Sequence, residues 1–296
     1  MTILTLRRLT LLAAFTVMAG GQASGQDRIP ADPDPTRLAN APENRAPRSD
    51  WQFQIGVGTI YGPAFLGSDD YQLRAGPNVE VRYKDRFFLS VIDGAGFDLI
   101  KTATFRAGPV IQYQQQRREN GNSTFRIAGS RTDALRGLGD VPDTAEAGGY
   151  LQYQAGAFSA KAEVRQGIGG HDGLIADLGA RYTTRFTAPP TGERPVIFSI
   201  GPRATIVDGK YNQAYFGITP QQSTRSGLAR YNAGGGLLSY GLGTAFVVPV
   251  SGKLNAALLG GYDRIAGDAA DSPLVRERGS RNQATVGLGL IYRFGL

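Results

Sequence analysis

The segment "ATVGLGLIYRFGL", residues 284–296, is where the reading of this chain turns. Val286, Leu288, Leu290, Tyr292, Phe294 and Leu296 share one parity; Gly287, Gly289, Ile291, Arg293 and Gly295 share the other. A period of two marks a β-strand with two unlike faces. A strand in water turns its apolar face to a core and its polar face to solvent. Here the second face is glycine with one arginine, as expected where that side is a crowded, enclosed space.

The same texture runs back through the chain. In 51–59 Trp51, Phe53, Ile55 and Val57 alternate with Gln52, Gln54, Gly56 and Gly58. In 173–186 Leu174, Ala176, Leu178, Ala180, Tyr182 and Phe186 oppose Asp177, Arg181 and Arg185. Segments 78–84, 86–92, 95–100, 103–116, 147–155, 157–166, 195–206, 235–249, 253–264 and 282–295 complete a set of about twelve predicted strands. After residue 25 no stretch keeps a helical period. A β-sandwich is the water-soluble alternative. Against it, several segments reach the ~9–11 residues that a tilted strand needs to cross a bilayer. The links also sort by parity. Those after even strands are short: around Asp85, at Lys101–Thr102, at Gly156, across 189–194 and around Ser251. Long ones follow odd strands, at about 61–76, 118–146, 208–233 and 266–281, with shorter ones near Asp93 and Gly169–Asp172. Short turns on one side and long loops on the other are the pattern of an outer-membrane barrel. The predicted fold is therefore all-β: a transmembrane antiparallel up-and-down barrel over 51–296. Its apolar parity faces lipid, Tyr292 and Phe294 lie in the periplasmic aromatic girdle, and the last strand seals the cylinder.

The N-terminal region agrees with export. Arg7 and Arg8 precede the apolar run Leu9–Met18 and the small residues Gly21–Gly25, the layout of a secretory signal peptide over 1–25. Its h-region is too short for a membrane anchor. Residues 26–50 lack apolar periodicity and read as a flexible periplasmic segment. The chain has 41 glycines, no cysteine and a formal charge of +7, which falls to about +5 without the signal. No cysteine means no disulfide and no lipid attachment. The arginines are spaced singly along the strands rather than in basic runs, which argues against nucleic acid.

Three constellations bear on chemistry. The single histidine, His171, precedes Asp172 in "GIGGHDGL" and is the one candidate for a surface hydrolase, although no serine is assigned to it. Asp69, Asp70, Asp268 and Asp271 lie in predicted loops without the spacing of a metal site. The remaining set is ionic and inward: Arg82, Lys84, Arg106, Lys161, Arg165, Arg181, Arg185, Arg203 and Arg293, with Glu80, Asp98, Glu163 and Asp177. It reads either as a structural network filling the lumen or as a narrow pore favouring anions.

Separated motifs stand in order along the chain. The first is "GVGTIYGPAFLGSDDYQLRAGPNVEVRYKDRFFL" (56–89), with Tyr61, Pro63, the turn Gly67–Ser68–Asp69, and Phe87–Phe88. Tyr215–Phe216–Gly217 in 214–237, Asp271–Ser272–Pro273 in 268–275, and Tyr292 and Phe294 in "GLGLIYRF" (287–294) follow. On these residues the chain resembles the MipA/OmpV family of outer-membrane proteins. The ending departs from the type, since Gly295 and Leu296 follow Phe294. The resemblance implies a non-enzymatic barrel with no cofactor, and a barrel of this size is expected to be monomeric. It further implies a scaffold in murein maintenance, with a lytic transglycosylase and a murein synthase as partners, or else a porin-like protein.

Overall fold

The computed structural model describes residues 50–121, 123, 125–129, 131–188, 191 and 194–295. The predicted signal peptide, nearly all of the segment 26–50, and Leu296 lie outside them. The strands are β1 (Trp51–Pro63), β2 (Tyr71–Tyr83), β3 (Phe87–Ser90), β4 (Gly94–Phe97), β5 (Ile100–Lys101), β6 (Phe105–Gln114), β7 (Arg126–Gly129), β8 (Thr144–Ala155), β9 (Phe158–Gly169), β10 (Leu174–Phe186), β11 (Val196–Val207), β12 (Gly236–Pro249), β13 (Leu254–Ile265) and β14 (Asn282–Gly295). Each pairs antiparallel with its neighbour in the wall, and β1 closes on β14 from Gln52↔Gly295 to Tyr61↔Val286. β4 and β5 are two pieces of one wall strand against β6. β7 adds to the outer end of β2. The result is a closed 12-strand barrel, each wall strand falling on one of the predicted segments.

Closure satisfies the backbone in a medium that offers no hydrogen bonds. The one low place in the wall shows how tightly this is enforced. β3 and β4 are only four residues long, so the outer half of β2 rises above them. On that side Val79 accepts from the Val91 N–H at 3.0 Å and the Ala75 N–H donates to Phe125 at 2.9 Å. Between them stands Pro77, which has no N–H to leave unpaired.

The parity holds round the barrel. Leu288 is 60% exposed whereas Ile291 is 4% exposed. Outward positions carry Ile55, Val57, Leu89, Ile111, Leu151, Val164, Leu178, Ile200, Leu242 and Leu258. Aromatic rings cluster at the short-turn end, as Trp51–Tyr83 (4.5 Å), Phe53–Phe294 (5.2 Å), Phe105–Tyr153 (4.9 Å), Phe158–Tyr182 (5.2 Å) and Phe198–Phe246 (4.6 Å). Tyr61–Tyr71 (5.3 Å), with Tyr113, Tyr240 and Tyr262, marks the opposite rim. Trp51 to Tyr61 is about 33 Å of strand, which at a tilt of about 40° rises the ~25 Å of the apolar band. No helix among the described residues is long and apolar enough to cross a membrane; the strands do so.

The long loops hold what the hydrophobic pattern did not announce: four short helices, α1 (Gly209–Phe216), α2 (Pro220–Ser226), α3 (Gly267–Asp271) and α4 (Pro273–Arg278). Local signals start three of them. Asp208 caps α1, Thr219 and Gln222 form a capping box before Pro220, and Ser272 caps α4 ahead of Pro273.

The lipid face sets the first prediction. Leu290→Arg places a charge near the bilayer midplane and is expected to cost about 2–4 kcal/mol. Urea unfolding in lipid vesicles measures it, and an unchanged midpoint contradicts the assigned face.

Candidate functional site: a filled lumen under a folded cap

Residues of the inward parity on β8, β9 and β10 meet in one ionic knot. Arg165 is its centre. Its Nε donates to Glu146 at 2.7 Å and its Nη2 to Asp177 at 2.7 Å, while Nη1 contacts Glu163. Lys161 lies 2.6 Å from the other Glu163 oxygen, Gln112 donates to Glu163 at 2.7 Å, and Thr205 donates to Asp177 at 2.7 Å. All are buried or nearly so. Three carboxylates round one guanidinium is a geometry only arginine's planar fork can serve.

The adjoining stretch of wall, β11 to β13, explains the glycines. Arg203 on β11 reaches across β12 to pair with Asp263 on β13, its Nε donating at 2.7 Å. It lies over Gly261, where a Cβ would collide with Nη2. Arg181 donates to Ser199 at 2.7 Å. The Arg203 side chain therefore lies flat along the wall where Gly261 carries no side chain. Below them Ile197, Val247, Ala257 and Ile291 form a buried apolar cluster inside the barrel.

At the periplasmic end, Arg82 donates to Glu80 at 2.6 Å and Arg106 to Asp98 at 3.1 Å, with the Tyr150 hydroxyl also donating to Asp98. The β2–β3 turn places Lys84 and Asp85 both at positive φ (50° and 51°), a two-residue turn closed by Arg86 N–H to Tyr83. Left-handed residues without glycine carry strain. Asp85 offsets it by receiving Lys101 at 2.7 Å and Arg106 at 3.3 Å. Burial alone would raise the Asp85 carboxyl, but those two cations outweigh it and hold it below its ordinary value. Arg185 is exposed at the mouth rather than buried, and Arg293 donates to Gln54 at 3.0 Å.

His171 closes the top of the knot. Its side chain is 0% exposed. Nδ1 accepts from the Gly173 N–H at 3.0 Å, so Nε2 carries the proton and faces Glu146 at 3.3 Å. Gly167 leaves room for the ring, since a Cβ there would collide with Cε1. Asp172 is not its partner: that carboxylate turns outward and accepts from Gly169 at 2.8 Å. A sealed imidazole held between a carboxylate and an amide N–H braces the top of the knot.

Above His171 the long loops fold together. Tyr211 and Tyr215 contact its ring. One apolar cluster holds Tyr211, Tyr215, Phe216, Ile265, Ala269 and Val275, and a second holds Phe65, Leu135, Leu138, Ile218, Leu228 and Leu274. Here the motif residues of three loops converge. Ser272 donates to the Phe216 carbonyl at 2.6 Å, Ser280 N–H to Gly67 at 2.8 Å, and the Gln283 amide to Ser68 at 3.1 Å. Gly67 (φ +100°) packs where a Cβ would lie 2.9 Å from Val275. Pro63, Ser68 and Gly217 flank this core, whereas Tyr61, Phe87, Tyr292 and Phe294 belong to the outer face. Arg278 ties the loops by donating to the carbonyls of Ala134, Arg136 and Ser226. Arg117 is buried beneath, against the Tyr215 ring and carbonyl; burial pushes its guanidinium down to about 10, against the opposing pull of Tyr215 and Asp140.

The loop carboxylates do not converge. Asp268 accepts from the Gly234 N–H and Asp271 pairs with Arg281 at 2.8 Å. Among the described residues no group of three His, Cys, Asp or Glu side chains is placed to hold a metal. Sequence reasoning passed over Glu146, Asp263 and Asp85. Parity was the available signal for the first two: Glu146 alternates with Ala145 and Ala147 just before the predicted start of its strand. Asp85 belongs to a turn, where parity is silent.

These contacts set two expectations for stability. Arg165→Met leaves three buried carboxylates without their shared cation and should cost about 3–5 kcal/mol, read by urea unfolding. The Asp85 carboxyl is depressed in the folded state, so its contribution is full above the ordinary carboxylate range and is lost as pH falls through the lowered value. The gap in unfolding midpoint between the natural chain and Asp85→Asn should therefore stay constant from neutral pH to about 5 and close below about 4.

The chain is similar to several known proteins. Outer membrane protein OmpV of Vibrio cholerae serotype O1 is 37% identical over 84 residues, 28% of this chain and 31% of that protein's length. Among solved structures, the COG4313 outer membrane channel from Pseudomonas putida F1 aligns over 86% of this chain and 99% of its own (TM-score 0.43, 12% identity), and the KdgM porin over 81% and 99% (TM-score 0.38, 9% identity). The family model described as MltA-interacting protein MipA matches residues 55–294, and the chain belongs to that family of outer-membrane barrels.

Proposed function

We propose that this barrel is a non-enzymatic scaffold of the outer membrane, holding murein-remodelling enzymes near the wall. One observation carries the reading: the lumen is occupied by the Arg165 knot and its outer mouth by the cap, which leaves the periplasmic turns as the accessible working surface. The family's description names an MltA-interacting protein, and a lytic transglycosylase is the corresponding partner here, with a murein synthase as the second enzyme it brings close. His171 is walled off from substrate, which supports the non-enzymatic reading. The alternative is a channel for small anions, and it requires the cap to lift and the knot to part.

Two measurements test this. A photoactivatable residue at Ala157 or Gly252, in the periplasmic turns, should yield an adduct with a lytic transglycosylase in living cells; adducts with lipid alone contradict the scaffold. Planar-bilayer recording should give no conductance steps. Steps whose anion preference is reversed by Arg181→Glu with Arg185→Glu would establish the channel instead.

A further inference from the structure

One arc of the periplasmic end differs in charge from the rest of the rim and from the cap. Exposed cations of the cap are interspersed with acids, as in Arg136–Asp133 and Arg281–Asp271. The periplasmic mouth along the β10–β14 arc is different. Its charged residues among those described are Arg185, Arg194, Lys253 and Arg293, all cationic; Glu193, the one acid in the sequence of the two turns, lies outside the described residues. Contacts to the backbone link three of them into a strip, and Arg185 stands on the strand that leads into the first turn. The Arg194 guanidinium donates to the Val250 carbonyl at 3.4 Å, linking the two turns, and the Arg293 N–H donates to the Lys253 carbonyl at 2.9 Å.

Parity tells which way the strip looks. Arg185 lies between Thr184 and Phe186, and Arg293 between Tyr292 and Phe294, whose rings belong to the outward girdle. Both arginines therefore stand on the mouth side of the wall. Arg185 pairs in register with Ile197, which continues to Val247 and Ala257, so Arg185 lies beside the apolar cluster inside this end. A belt for phospholipid headgroups would line the outer perimeter, and Arg185 and Arg293 do not. Behind Arg185 stand buried apolar side chains rather than a polar path. These cations face the periplasm.

We propose that this strip docks the acidic face of a soluble periplasmic protein. The proposal rests on the scaffold reading and narrows it to one arc and one kind of partner. Exposed charges at a rim act mainly by steering and orienting an oppositely charged surface, so binding should weaken steeply with salt.

The test uses the full barrel in zwitterionic nanodiscs and a fluorescein-labelled deca-glutamate peptide as probe, read by anisotropy. Saturable binding that falls with salt and weakens about ten-fold or more in Arg194→Glu with Lys253→Glu supports the strip. The control, Arg136→Glu with Arg225→Glu on the cap, should stay within about two-fold. Equal loss in both pairs overturns the proposal. So does loss of peptide binding to the natural chain when phosphatidylglycerol enters the nanodisc, which would make headgroups the occupant. Heat-modifiable migration on gels checks that each variant is folded, and Arg194→Gln with Lys253→Gln should weaken binding to an intermediate degree. In cells, a transglycosylase adduct that persists in the charge-reversed pair overturns the strip while leaving the scaffold standing. Strip-dependent peptide binding with no such adduct in the natural chain supports the strip while removing that enzyme as the partner.

Discussion

Hydrocarbon offers no hydrogen bonds, and this constraint governs the structure at every level. A sheet in lipid must close, because an open edge strands its N–H and C=O groups at several kcal/mol each. Closure through β1 and β14 fixes two faces with no third option. One parity meets lipid and is apolar. The other is enclosed, and any charge it carries must find its partner within a space about as wide as two facing side chains. Pro77 shows the rule acting at a single atom: where the wall falls short, the residue on the edge has no donor to leave stranded.

The interior follows from the same confinement. An arginine such as Arg165 cannot escape to water from the middle of the lumen, so it gathers carboxylates from neighbouring strands. Arg203 reaches past β12 to Asp263 because Gly261 leaves the surface there bare. Glycine and arginine are thus complementary parts of one packing scheme. The apolar cap then lies on the polar knot through His171 and Tyr215, side chains with a polar end and a ring. A buried network of this kind is rigid when complete and costly when broken. That combination suits a plug.

The faces of the strands were legible because parity is a local property: Leu288 and Ile291 are assigned by counting. Pairing inside the lumen was not, because register between strands decides whether Arg165 meets Asp177 or Glu146, and register is a tertiary fact. Arg185 shows the limit. It has the inward parity of Arg181, yet it lies at the mouth and is exposed, since parity gives the side of the wall and not the depth. The helices of the cap left only terminal signals, such as Thr219–Pro220 with Gln222 and Ser272–Pro273, without a helical hydrophobic period to support them. Segments this short are stabilised by packing against other loops, which a single sequence does not display.

The placement of the family motifs separates what the resemblance can carry from what it cannot. Ser272 bonds Phe216, Gly67 fits under Val275, and Gly217 ends α1; these residues hold the outer lid shut. A likeness built on them transmits an architecture: a barrel whose loops fold over its mouth. Partner recognition needs exposed groups, and exposed charge at the other end lies at Arg185, Arg194 and Lys253, outside the motifs. Family membership therefore accounts for how the loops fold over the mouth, while recognition of any partner has to be sought in the chemistry of the exposed rim.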